Sequence, residues 1–120
     1  MVKIHRLKGD ITPEISGSFK NSIAIDTEAT GLQIPERDKL SLIQICSDNS
    51  EVYIIQPDRK TYRAPNLVKL LENKNILKIG HFFRFDKNAL EFFLKCKIKN
   101  IFDTKIASKL ANLYMLFGVS

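Results

Sequence analysis

Three short apolar runs, Ser22–Glu28, Leu40–Cys46 and Glu51–Gln56, follow one another with only loop and turn residues between them. Runs this short, rich in Ile, Leu, Val and Tyr and bounded by Gly, Pro, Asp, Asn and Ser, are strands rather than helices. Thr30–Lys39, with Gly31 and Pro35, is a loop, and Asp48-Asn49-Ser50 is a tight turn, so the three runs predict an antiparallel meander. Val2–Leu7 adds an amino-terminal strand, and Gly9-Asp10 begins a polar connection that includes Pro13. From Pro65 the pattern changes. Pro65-Asn66 opens a short amphipathic helix over Leu67–Leu71, Ile76–Gly80 is a brief buried strand, and Phe85–Lys95 carries a broad apolar helical face. Asn100–Asp103 is a further short strand, with a helix expected from Lys105 to about Met115. A meander followed by strand-helix alternation predicts an α/β fold, a mixed sheet covered by helices, because parallel neighbours require crossovers.

A chain of 120 residues supports one domain with a single core. Hydrophobic content of 44% and charged content of 27% are ordinary for a globular protein and exclude global disorder. No apolar run reaches the roughly 20 residues that span a bilayer. The opening Met1-Val2-Lys3-Ile4-His5-Arg6 lacks the apolar stretch of a signal peptide, so the expected location is cytoplasmic, with no membrane partner. Cys46 and Cys96 have no Cys or His close in sequence to suggest zinc and are expected to be buried reduced thiols. Nineteen Lys and Arg against thirteen Asp and Glu give a net charge of +6, which favours a polyanionic partner. The Lys-rich stretches Lys69–Lys78 and Lys95–Lys99 are also what solvated helix faces and turns look like.

Chemistry enters with Asp26-Thr27-Glu28. Successive strand residues point to opposite faces, so Asp26 and Glu28 share one face and Thr27 takes the other. Set in an apolar run read as a buried strand, two like charges need compensation, and a divalent metal ion supplies it. The alternative is a strand end entering a polar loop, with Thr30-Gly31 as its turn. A second acid, Asp86, falls in the first turn of the helix after Gly80, where it is either a site residue or a complement to the helix dipole. A third, Asp103, ends a short apolar strand, where it can also cap the next helix.

Together these segments resemble the DEDD superfamily of 3′-to-5′ exonucleases, most closely its ribonuclease D branch. Asp26-Thr27-Glu28-Ala29-Thr30-Gly31-Leu32 is similar to that family's first motif, with Ala29 where Thr or Met is more usual. His81-Phe82-Phe83-Arg84-Phe85-Asp86 resembles the second, and Phe102-Asp103-Thr104-Lys105-Ile106-Ala107-Ser108 the segment that follows it in small bacterial ribonuclease D-like proteins. The match runs from about Val2 to Tyr114. It implies a ribonuclease H-like fold and hydrolysis of the terminal phosphodiester of RNA or single-stranded nucleic acid. Two Mg²⁺ or Mn²⁺ ions, roughly 3.5 to 4 Å apart, would take carboxylate oxygens as ligands. By this resemblance Asp26 bridges the ions, Glu28 binds the one that activates water, and Asp86 contributes to the second. Leu32 is placed either against the terminal bases or as a buried loop residue. His81, Arg84 and Lys105 are candidates to reach phosphate, with helix-capping or surface roles as the alternative. Asp103 is expected to be structural or to stand behind the ligands.

The third motif of the family, Tyr-x-x-x-Asp or His-x-x-x-Asp on a last helix, is not present in these 120 residues. Tyr114 is followed four residues on by Gly118, and Leu113–Val119 resembles a helix with an aberrant tail. The expectation is one incomplete exonuclease domain over residues 1–120, lacking its carboxy-terminal helices, with the second ion weakly held. Loss of the group that orients water removes help typically worth ~10²- to 10⁴-fold. An exposed apolar patch is then expected, with self-association or pairing with a separately encoded carboxy-terminal fragment. The competing functional expectation is a catalytically inactive remnant that binds nucleic acid.

Overall fold

The structure is a computed structural model that describes residues 2–34, 36–47 and 50–105. The helix expected from Lys105 to Met115 lies outside these residues apart from Lys105, as do Tyr114 and the Leu113–Val119 tail. Nine elements follow in order: β1 (Lys3–Lys8), α1 (Pro13–Ser18), β2 (Ser22–Ala29), β3 (Leu40–Cys46), β4 (Glu51–Gln56), α2 (Pro65–Glu72), β5 (Leu77–Gly80), α3 (Arg84–Leu94) and β6 (Ile101–Asp103). The strands form one mixed sheet in the order β1-β4-β3-β2-β5-β6. β2, β3 and β4 are the expected antiparallel meander. β5 and β6 add in parallel beside β2, and β1 pairs in parallel with β4 at the opposite edge. The fold is the α/β arrangement expected, a mixed sheet flanked by helices.

Two-residue alternation decides which side of the sheet is dry. Ile23 and Ile25 of β2, Ile43 and Ile45 of β3, and Tyr53 and Ile55 of β4 are buried on one face and join the core. α2 buries Leu67, Leu70 and Leu71, spaced as one helical face, against the same core. A helix of eight residues is too short to persist on propensity alone, so this packing, about 1.5–3 kcal/mol for each fully buried Leu, holds it. Its N-cap position is Ala64, which has no side-chain acceptor to offer. Asp10 substitutes from a distance, accepting the Asn66 and Leu67 N–H groups at 2.9 Å each. α3 buries Ala89, Leu90, Phe93 and Leu94 and stops at Lys95, whose φ of 55° ends the helix in the left-handed region.

Four expectations need correction. The connection after Gly9 contains the short helix α1, started by Thr12, which accepts the Ile15 N–H, and by Pro13 in its first turn. Cys96 is buried but Cys46 is only half-buried, on the more open sheet face. Asp26 and Glu28 are both exposed, because β2 is buried on one face only. Lys78, read as part of a solvated basic stretch, is 0% exposed. Its ammonium donates to the Asn73 carbonyl, just past α2, and to the Lys99 carbonyl, just before β6. Among the described residues no helix is long and apolar enough to cross a membrane.

Burial pushes the Lys78 ammonium down to about 8 from its ordinary 10.5. Between those values the unfolded chain holds the proton that the folded chain has released, so stability rises with pH through that window. Lys78→Met strips two carbonyls of their donor and is expected to cost about 1–3 kcal/mol at neutral pH. Urea unfolding followed upward from neutral pH should show the gap between wild type and variant widening from about pH 8. A gap that narrows with pH contradicts this assignment.

Candidate active site

β2 holds the first two acids by the same alternation that builds the core. Ala24, Asp26 and Glu28 are exposed on one face, while Ile23, Ile25 and Thr27 turn to the other. A register shift falls between Glu28 and Ala29 against β3, so the strand is irregular where the acids give way to the loop. The Asp26 carboxylate accepts the Thr27 N–H at 3.0 Å, which fixes one of its oxygens close to the backbone.

Asp86 arrives from α3. It is in the first turn of that helix, as expected, and is 8% exposed. Its carboxylate accepts the hydroxyl of Thr27, so the residue between the two strand acids ties the strand to the helix. Burial pushes the Asp86 carboxyl above the usual aspartate range, the Thr27 hydroxyl draws it back, and the nearby charge of Asp26 raises it again. The Thr27 hydrogen bond places Asp86 beside the strand that carries Asp26 and Glu28. Among the described residues, however, no three His, Cys, Asp or Glu side chains are gathered closely enough to hold one metal ion. The donors are carboxylate oxygens, which suit a hard divalent cation, and a cation would relieve the repulsion between Asp26 and Asp86.

The loop after β2 carries Leu32, which is 82% exposed rather than buried. Asp38 organises this loop. Buried at its base, it accepts the Gln33 N–H at 2.9 Å, the Thr30 hydroxyl at 3.1 Å and the Arg37 guanidinium at 3.3 Å. The Gln33 amide foremost holds the Asp38 carboxyl below its ordinary value. Gly31 is needed here because a Cβ would overlap the Asp38 carboxylate.

At the far side, β5 and β6 present the remaining candidates. His81 and Arg84 are exposed, and Lys105 is half-buried. The His81 Nδ1 lies 2.8 Å from the Thr104 hydroxyl, and the Lys105 ammonium stands 3.9 Å from the centroid of the Phe82 ring. Asp103 ties these residues together. Its carboxylate accepts the N–H groups of Phe82 at 3.0 Å, Phe83 at 2.8 Å and Lys105 at 2.9 Å. The register pairs Ala24 with Ile79 and Gly80 with Asp103, so His81 and Thr104, which follow directly on the carboxyl ends of β5 and β6, stand beside the second half of β2, which carries Asp26. Ligands of open α/β sheets bind at such ends.

Sequence reasoning singled out Asp26, Glu28, Asp86 and Asp103, with Asp26 and Glu28 expected to be buried, and missed Thr27, Asp38 and Phe82. The signal for Thr27 was the alternation itself, which turns it toward the core as Asp26 and Glu28 turn away. Thr27→Val keeps the shape and removes the hydroxyl from the Asp86 carboxylate. It is expected to destabilise the fold by about 1.5–3 kcal/mol in urea unfolding, with Thr27→Ser close to wild type. Equal stability of the Val variant and wild type would show that the contact contributes nothing.

The model of a 3′-5′ exonuclease family matches residues 12–118 of the chain. No curated protein matches it. Among solved structures, a nuclease in its apo form is 37% identical with a TM-score of 0.87, covering 95% of this chain and 55% of its own. NrnC of Brucella melitensis is 38% identical with a TM-score of 0.85, over 94% of this chain and 54% of its own. NrnC has also been solved with bound Mg²⁺ and bound to pGG. The catalytic core of RRP6 from Trypanosoma brucei, 23% identical with a TM-score of 0.64 over 84% of this chain and 29% of its own, shares the fold. The chain thus spans about half the length of these two nucleases, the apo-form nuclease and NrnC.

Proposed function

The chain belongs to the 3′-5′ exonuclease family, and from that premise we propose that it trims RNA or other single-stranded nucleic acid from the 3′ end by metal-dependent hydrolysis. The observation that carries this reading is the hydrogen bond from the Thr27 hydroxyl to the Asp86 carboxylate, which ties the start of α3 to β2, the strand on which Asp26 and Glu28 share one face. NrnC, 38% identical and bound to pGG in one structure and to Mg²⁺ in another, supports both the ligand class and the ion. Mn²⁺ has the same preference for oxygen ligands and is expected to substitute.

In this reading Asp26, Glu28 and Asp86 are the residues that would hold the ions. The ions, when bound, lower the pKa of the attacking water and offset charge on the leaving 3′ oxygen. The protein's own part is to fix the donors and the strand. The Thr27 hydroxyl and N–H orient Asp86 and Asp26, and the Asp38-braced loop presents Leu32 to the terminal bases. His81, Arg84 and Lys105 meet phosphate, and Asp103 fixes the chain among them through the N–H groups of Phe82, Phe83 and Lys105. The 120 residues contain no Tyr-x-x-x-Asp or His-x-x-x-Asp to orient water. A segment carrying that motif is expected to raise the rate of trimming.

A short oligoribonucleotide labelled at its 5′ end should give a ladder shortened from the 3′ end in Mg²⁺ or Mn²⁺ and none with chelator. Asp26→Asn should lower the rate at least ~10²-fold. No trimming by the wild type, with or without the added segment, or equal trimming by Asp26→Asn, would overturn the reading. Binding that weakens steeply with salt in the absence of trimming would instead identify an inactive nucleic-acid-binding protein.

A further inference from the structure

The chain leaves β5 through two phenylalanines that the fold treats in opposite ways. Phe83 is 1% exposed and packs its ring over Gly80, where a Cβ would overlap it. Phe82 is 57% exposed, with a φ of 50°. The left-handed region costs free energy for any residue with a Cβ, and bulky side chains rarely adopt it. Gly or Asn would sit there more easily. Asp103 enforces the conformation by accepting the N–H groups of both phenylalanines, at 3.0 and 2.8 Å. The structure therefore holds an aromatic ring outward, under strain, where core packing makes little use of it. Strain of this kind clusters where a ligand is held.

What surrounds the ring identifies the ligand. The Lys105 ammonium lies 3.9 Å from the ring centroid, and His81 and Arg84 flank Phe82 as exposed basic residues. Extending the Ala24 to Ile79 pairing sets His81 level with Asp26, so Phe82 is one residue further along than Asp26. A flat apolar surface among cations is a poor seat for a protein partner, which would want a contiguous apolar patch. It suits a nucleobase, whose face stacks on the ring while its phosphate meets the cations. We propose that Phe82 is a stacking platform for one base of the bound strand, with Lys105 contributing charge to the backbone beside it. The proposal rests on the reading of the chain as a nuclease of single-stranded ends and adds the residue that holds a base.

The test is fluorescence anisotropy of a labelled short oligoribonucleotide on the full chain, with Ca²⁺ in place of Mg²⁺. Phe82→Ala is expected to weaken binding about 5- to 150-fold. Phe82→Trp should stay within about threefold of wild type, and Phe82→Leu, apolar but without a π face, should resemble Phe82→Ala. The salt dependence should be unchanged by Phe82→Ala and reduced by about one ion by Lys105→Ala. Circular dichroism and thermal melts show that each variant is folded, as an exposed position should allow. Full affinity in Phe82→Ala, or in Phe82→Leu, overturns the stacking role while leaving the nuclease reading intact. No binding of any oligonucleotide by the wild type overturns both.

Discussion

The two-residue period of β2 is the constraint on which the rest of the structure depends. One strand, paired on one side with antiparallel β3 and on the other with parallel β5, must satisfy a core and a site at once. It does so by alternation, Ile23, Ile25 and Thr27 turning inward and Ala24, Asp26 and Glu28 outward. A slip of one residue would bury both acids and expose two isoleucines, so the apolar residues that hold the register also aim the carboxylates. Thr27 is the point where the two demands meet. It occupies a core-facing position, yet its hydroxyl holds the one buried acid of the site.

The acids differ in environment as a result. Asp26 and Glu28 keep contact with solvent, whereas Asp86 is largely desolvated and feels the charge of Asp26. A carboxylate in that position is costly without a partner. Thr27 supplies a neutral one, and a cation would supply a stronger one. Asp38 and Asp103 play a different part, each spending its oxygens on backbone N–H groups and so fixing the loops that carry Leu32 and Phe82. These two acids shape the site without belonging to the candidate ligand set.

Much of this was legible in the residues. Element order, the meander and the first-turn position of Asp86 followed from run length, turn chemistry and helical periodicity. The resemblance to 3′-5′ exonucleases agrees with the family match over residues 12–118. The burial of the strand acids was misread because Ile23-Ala24-Ile25 is an unbroken apolar run, and a small residue such as Ala24 can sit on an open face without penalty. Helix α1 was hidden by its Gly and Ser content, although Thr12-Pro13 is a start signal. Lys78 was unreadable locally, since its partners are carbonyls five and twenty-one residues away that only the assembled fold brings together. The parallel pairing of β1 with β4 is likewise a tertiary outcome, as two edges of the meander were open to it.

The central claim is that Asp26, Glu28 and Asp86 form one cation site. Titration of Mn²⁺ into the protein, followed by loss of the free-ion electron paramagnetic resonance signal, tests it without depending on turnover. The account predicts saturable binding that Asp26→Asn and Asp86→Asn each weaken at least tenfold, about 1.4 kcal/mol. Binding of equal strength in wild type and both variants would contradict it.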